Sequence, residues 1–226
     1  VQRINETLLS RAERRLLDWA CRRMPARVSS DMLTALGVAG AGLCFAGYVL
    51  AGAWLWLAVA GMALNWVGDS LDGSLARFRR AERPRYGFFL DHMTDTLAIA
   101  LIMVGIGLSP HVNLAVALAA LGAYYAMTIL TMATCIATGV FRISFGGLGP
   151  TEIRLVIAVC TAAAALLPVP AWTIGGNELT IYDALMAAVA AGLVVTCLAM
   201  ARRTARELAA LDPGSGKSSP ADAGRH

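Results

Sequence analysis

What most constrains this chain is the spacing of its apolar blocks. Stretches of about 20 residues with few charges recur at about 32–52, 53–76, 87–108, 112–140, 152–171 and 181–201, separated by punctuation such as Ala51-Gly52, Ser109-Pro110 and Pro168-Val169-Pro170. A helix rises ~1.5 Å per residue, so each block matches the ~30 Å hydrocarbon core of a bilayer. With 58% hydrophobic and 15% charged residues, the 226-residue chain is too apolar for an ordinary soluble domain. The expected fold is all-α: a polytopic membrane protein of six transmembrane helices preceded by an amphipathic juxtamembrane helix.

The basic residues test this count independently, because short cytoplasmic loops collect Lys and Arg. Six spans from a cytoplasmic N-terminus place the N-terminal segment, the 77–86 hairpin, the 141–154 connection and the C-terminus inside. All 19 Lys and Arg fall in those four regions, and none falls in the connections around Gly52, Pro110 and 168–180. Five or seven spans would lose that segregation. Residues 1–28 are polar and Arg-rich, unlike a secretory leader, and Ile4, Leu8, Leu9, Leu16, Trp19 and Met24 share a loose helical stripe. They are expected to form an interfacial helix on an anionic membrane surface. Residues 29–206 are the six-span domain, and 207–226 are a polar, disordered tail. Both termini are expected in the cytoplasm, and the membrane is expected to be a bacterial cytoplasmic membrane. The scattered cysteines Cys21, Cys44, Cys135, Cys160 and Cys197 lack metal-site spacing and read as apolar filler. The formal charge of +4 comes without any aromatic-basic module, so membrane topology explains it and nucleic acid is not an expected partner.

One stretch departs from apolar logic. Asp69 and Asp72 are three apart, Asp91 and Asp95 four apart, so each pair shares a helix face. A hairpin at 78–86, containing Pro84, would fold the two helices antiparallel and bring the four carboxylates together. Each carboxylate costs about 2.5–3.5 kcal/mol at the centre of a membrane helix, so a quartet requires water or cations. Oxygen-only ligands favour Mg²⁺, Mn²⁺ or Ca²⁺ over zinc, and two such ions ~3.5–4 Å apart could clamp a pyrophosphate. Gly73, Ala76 and Gly87 remove bulk beside the cluster, where a planar ring or phosphate could approach the backbone. Arg77 adds a planar cation suited to phosphate oxygens.

Written as a pattern, Asp69-x-x-Asp72-Gly73-x-x-Ala76-Arg77, nine residues, then Gly87-x-x-x-Asp91-x-x-x-Asp95 resembles the signature of the CDP-alcohol phosphotransferases. Ser30-Asp31-Met32-Leu33-Thr34 resembles the Pro-Asn-x-x-Thr start of that family's first span, without the Pro-Asn. The resemblance implies that Asp69, Asp72 and Asp91 hold two divalent cations, Mg²⁺ or Mn²⁺. It also implies that Asp95 deprotonates the acceptor hydroxyl while touching a metal. Gly73, Ala76, Arg77 and Gly87 would then receive the nucleotide, and the protein would be a homodimer among membrane lipids. The implied reaction transfers a phosphatidyl group from CDP-diacylglycerol to a small polar alcohol, with release of CMP.

Two alternatives stay open. Asp91-His92 resembles the branch that transfers phosphocholine or phosphoethanolamine from a soluble CDP-alcohol to diacylglycerol. A divalent-cation transporter would also need an acidic cluster, although few acidic residues continue a path across the last three spans. His92 itself reads as a hydrogen-bond donor or filler. Arg79, Arg80, Arg83 and Arg85 read as positive-inside anchors or an anionic-lipid contact. The Gly/Pro-broken connection before the fifth span puts Arg142, Glu152 and Arg154 on the same side as the aspartates, where they are expected to form the acceptor pocket. Tyr124, Tyr125 and Asn113 read as packing or interfacial residues.

Overall fold

In the computed structural model, residues 2–4, 10–142, 150–174 and 177–211 are described. Their helices are α1 (Ser10–Arg23), α2 (Ser30–Leu50), α3 (Leu55–Phe78), α4 (Pro84–Leu108), α5 (Leu114–Thr138), α6 (Pro150–Leu166) and α7 (Ile181–Leu211). Their ends follow local chemistry. Ser29 caps α2 by accepting the Met32 N–H, Pro84 sits in the first turn of α4, and Asn113 caps α5 by accepting the Ala115 N–H. Gly139 closes α5 in the left-handed conformation, at φ 72°.

Four helices, α2, α4, α5 and α7, are long and apolar enough to cross a membrane. The other two predicted spans fall short for visible reasons. Helix α3 carries Asp69, Asp72 and Arg77, and α6 has 17 residues, with Glu152 and Arg154 in its first turns. The N-terminal helix is also shorter than the pattern predicts. Gln2–Ile4 form a strand, β1, pairing in parallel with β2 (Val140–Arg142), and residues 5–9 lie outside the described residues. At the other end α7 runs to Leu211, so the start of the expected polar tail is helical, and the remainder of that tail lies outside the described residues. The connection after α6 contains a hairpin, β3 (Ala171–Ile174) with β4 (Asn177–Thr180).

Helix α2 is the centre of the packing, lying against both α3 and α4, which hardly touch each other. This corrects the expected direct α3–α4 pairing. A seam of small residues explains it. A Cβ at Gly61 would overlap the Cys44 backbone, one at Gly40 would overlap that of Asn65, and one at Gly68 would overlap that of Gly37. Close approach of two backbones through glycine suits a medium in which helices gain little from the hydrophobic effect. Around the seam lie Ala41, Cys44, Tyr48, Ala58, Met62, Ile102 and Ile106, and the Tyr48 hydroxyl meets that of Thr161 on α6 at 2.5 Å. A second cluster docks α1: Cys21 packs with Leu33, Leu71 and Leu75, while Leu16 and Trp19 stay exposed. Arg79 fastens the same corner, donating to the carbonyls of Val28, Pro25 and Met24 at 2.5, 2.8 and 3.3 Å. Those bonds tie the end of α3 to the loop that joins α1 to α2.

Candidate active site

Helices α3 and α4 leave the 79–83 turn in opposite chain directions. Asp72 and Asp91 each sit about two turns from it, and Asp69 and Asp95 about three. Carboxylate oxygens of Asp69, Asp91 and Asp95 accordingly lie within 4.8 Å of one another. Three ionised groups that close repel by roughly 3–4 kcal/mol per pair at an effective dielectric of ~20. Part of the compensation comes from Arg154 on α6, whose Nη1 donates to Asp69 Oδ2 at 2.6 Å and whose Nη2 lies 3.5 Å from Asp95 Oδ1. That one guanidinium thus spans two of the three carboxylates.

Asp72 lines the same cleft but is held differently. Its Oδ2 accepts from Thr34 Oγ1 at 2.6 Å, its Oδ1 accepts the Gly73 N–H, and its backbone carbonyl accepts from Ser30 Oγ at 2.7 Å. The start of α2 is therefore built against the carboxylate helix, and Asp31 pairs with Arg83 across the rim. Of the other predicted residues, Gly73 faces the Arg77 guanidinium and Ala76 is half-buried. Arg77 is exposed and donates to Ser74 at 3.3 Å. Gly87 opens on empty space, so no protein packing demands its missing side chain. His92 Nδ1 bonds the Phe88 carbonyl at 2.7 Å and lies 3.8 Å from Asp91 Oδ2.

Of the three residues expected to form an acceptor pocket, Arg154 and Glu152 have described side chains, and they point to different sides of α6. Arg154 belongs to the carboxylate cluster itself. Glu152, two residues and some 200° away around α6, is 7% exposed. The Arg142 side chain lies outside the described residues.

Two contributors went unread in the sequence. Glu13 on α1 accepts from Thr151 Oγ1 at 2.9 Å, Trp66 Nε1 at 3.3 Å and Ser70 Oγ at 3.4 Å, joining α6 one turn before Arg154 to α3 on either side of Asp69. The available signal was an acid inside an Arg-rich amphipathic helix. Asn65 lines the cleft one turn before Asp69, and its signal was a lone amide in an apolar run.

The family model for CDP-alcohol phosphatidyltransferase matches residues 27–201, most of the chain, including all four aspartates and Arg154. The chain belongs to that family. It is thus an enzyme, a transferase of phosphate-containing groups, and the transporter alternative loses its ground. No match was found among curated protein sequences. Among solved structures, the chain is similar to the phosphatidylinositol phosphate synthase PgsA1 of Mycobacterium tuberculosis. In its complex with manganese and citrate, identity is 20%, coverage 87% of this chain and 88% of that one, and the TM-score 0.55. With CDP-DAG bound, the values are 18%, 87%, 93% and 0.56. Likeness at that identity speaks for a shared fold.

The donor set passes the test for a hard cation: oxygen ligands only, from three carboxylates whose oxygens lie within 4.8 Å of one another.

Proposed function

We propose that this protein transfers a phosphatidyl group from CDP-diacylglycerol to a small polar alcohol, releasing CMP, with Asp69, Asp72 and Asp91 holding two divalent cations and Asp95 acting as base. The observation that carries the reading is the convergence of Asp69, Asp91 and Asp95 on one another in a member of this family. The PgsA1 structures with manganese and with CDP-DAG support both the cation and the donor.

The cations, Mg²⁺ or Mn²⁺, supply Lewis-acid polarisation of the pyrophosphate and charge for the departing CMP. The rest falls to the chain's own residues. Asp95 takes the proton of the acceptor hydroxyl, and the acceptor oxygen attacks the phosphorus distal to cytidine as the bond to CMP breaks. Arg154 holds Asp95 and Asp69 from the α6 side, fixing where the proton goes. Gly73, Ala76 and Gly87 leave room for the nucleotide, and Arg77, exposed beside Gly73, is placed to meet phosphate oxygens. Thr34 keeps Asp72 from rotating away. Positioning and electrostatics supply most of the rate in such transfers.

In the same reading α3 and α6 cross the membrane with the four apolar helices, giving six spans. The packing of α3 along α2 and the segregation of all 19 Lys and Arg support this. The site and both termini then face the cytoplasm, helix α1 lies on the membrane surface, and the protein is a homodimer in the cell membrane. The test is CMP release by purified protein in nanodiscs with Mn²⁺ and CDP-diacylglycerol, against a panel of small alcohols. One alcohol should raise release well above the others. Release only with CDP-choline or CDP-ethanolamine and diacylglycerol would reverse the assignment of donor and acceptor.

A further inference from the structure

Asn65 is 3% exposed, and its amide is oriented by one bond, Nδ2 donating to the Gly37 carbonyl of α2 at 2.9 Å. The other end of the amide, Oδ1, has no hydrogen-bond partner among the described residues. A buried acceptor left this way costs about 1–3 kcal/mol, and folded proteins rarely tolerate it without a water or an ion. Its neighbours have no donor to spare. Asn65 borders a void of about 10 Å³ together with Thr34, Asp69, Asp72, Thr94 and Asp95. Thr34 already donates to Asp72, and Thr94 to the Leu90 and Asp91 carbonyls. Ionised carboxylates are acceptors only. The void has room for about one water-sized particle. A water has two protons to give, whereas a cation serves every oxygen of an acceptor-only wall at once.

We propose that Asn65 is a cation-binding residue of the aspartate site, its Oδ1 adding a neutral oxygen to those of Asp69 and Asp95 at the membrane-deep end of the cleft. This rests on the proposed role of the aspartates, and it extends the site one helical turn beyond the signature.

The probe is Mn²⁺ alone, titrated into the full chain in detergent and followed by the loss of the free-ion paramagnetic resonance signal, with Asp69→Asn as control. Asn65→Ala should weaken Mn²⁺ binding about tenfold or more and shrink the rise in unfolding temperature that Mn²⁺ produces. Asn65→Asp separates the two ends of the amide: it loses the donor to Gly37 but keeps an oxygen in the place of Oδ1. It should bind Mn²⁺ at least as tightly as wild type. If Asn65→Ala does not fold, Asn65→Asp decides alone. Equal loss in both variants, weaker binding by Asn65→Asp, or wild-type affinity in Asn65→Ala would overturn the proposal and leave the aspartates standing. No Mn²⁺ binding by wild type, or none lost in Asp69→Asn, would overturn both readings.

Discussion

A cluster of acids and a single buried acid sit toward opposite ends of α4, and they are built on opposite principles. Beyond its far end, Asp183 is 4% exposed and fully engaged: Oδ1 accepts the Asn113 N–H at 2.6 Å and Oδ2 the Thr180 N–H at 2.7 Å. It ties the α4–α5 connection to the start of α7, and Thr180 adds a bond to the His111 carbonyl at 2.6 Å. A cavity of about 410 Å³ opens there, far larger than the void beside Asn65, yet its buried acid is already paired with backbone donors. At the other end Asp69, Asp91 and Asp95 face one another with one guanidinium between two of them. Acids that meet backbone donors fasten a fold. Acids that meet acids call for a cation. The chemistry we propose therefore falls in the smaller cleft, not in the larger cavity.

The comparison is broken most severely by removing the base. Asp95→Asn should lower turnover by about 10²–10⁴-fold, the usual worth of general-base catalysis, with the unfolding temperature unchanged or raised because one repulsive charge is gone. Asp183→Ala should do the reverse, losing stability worth roughly 3 kcal/mol for its two charge-assisted bonds while the folded fraction keeps its turnover. Calorimetry and CMP release on the same samples check both. Next in size is Arg154→Ala, expected to reduce turnover about a hundredfold, with Arg154→Lys recovering only part because a point charge cannot bridge Asp69 and Asp95 as the planar fork does. Glu13→Ala should have a smaller effect, a several-fold loss of turnover, and Glu13→Gln should restore most of it because an amide oxygen still accepts from Thr151, Trp66 and Ser70. The smallest effect is expected for Thr34→Val, a few-fold rise in the Mn²⁺ concentration needed for half-maximal rate, since Asp72 loses one of its two side-chain bonds.

The same contrast explains what the sequence could disclose. The aspartate spacing was legible because helix periodicity alone places i, i+3 and i, i+4 residues on one face, and a hairpin brings two such faces level. Arg154 was singled out as a site residue, but its partners Asp69 and Asp95, 85 and 59 positions away, were not readable from any local pattern. Glu13 reaches Thr151 across 138 positions and left no local pattern at all. The role of α2 was hidden for another reason. Glycines at 37, 40, 61 and 68 read as membrane-helix composition, and only their mutual overlap shows that α2, rather than α4, is the partner of α3. Helix count was legible from apolar length in α2, α4, α5 and α7, and it met its limit in α3, where Asp69 and Asp72 lower the hydropathy, and in α6, which is only 17 residues long. The N-terminal strand pairs with a segment more than 130 positions away, so a helical stripe in the sequence overran it.

The central claim is that clustered acids, and not merely buried ones, do the chemistry. The most direct measurement is Mn²⁺-dependent release of CMP from CDP-diacylglycerol with its alcohol by wild type, Asp95→Asn and Asp183→Asn, each shown to be folded. The account predicts release by wild type and Asp183→Asn and loss of at least about a hundredfold in Asp95→Asn. Release by Asp95→Asn at the wild-type rate, or loss confined to Asp183→Asn, would contradict it.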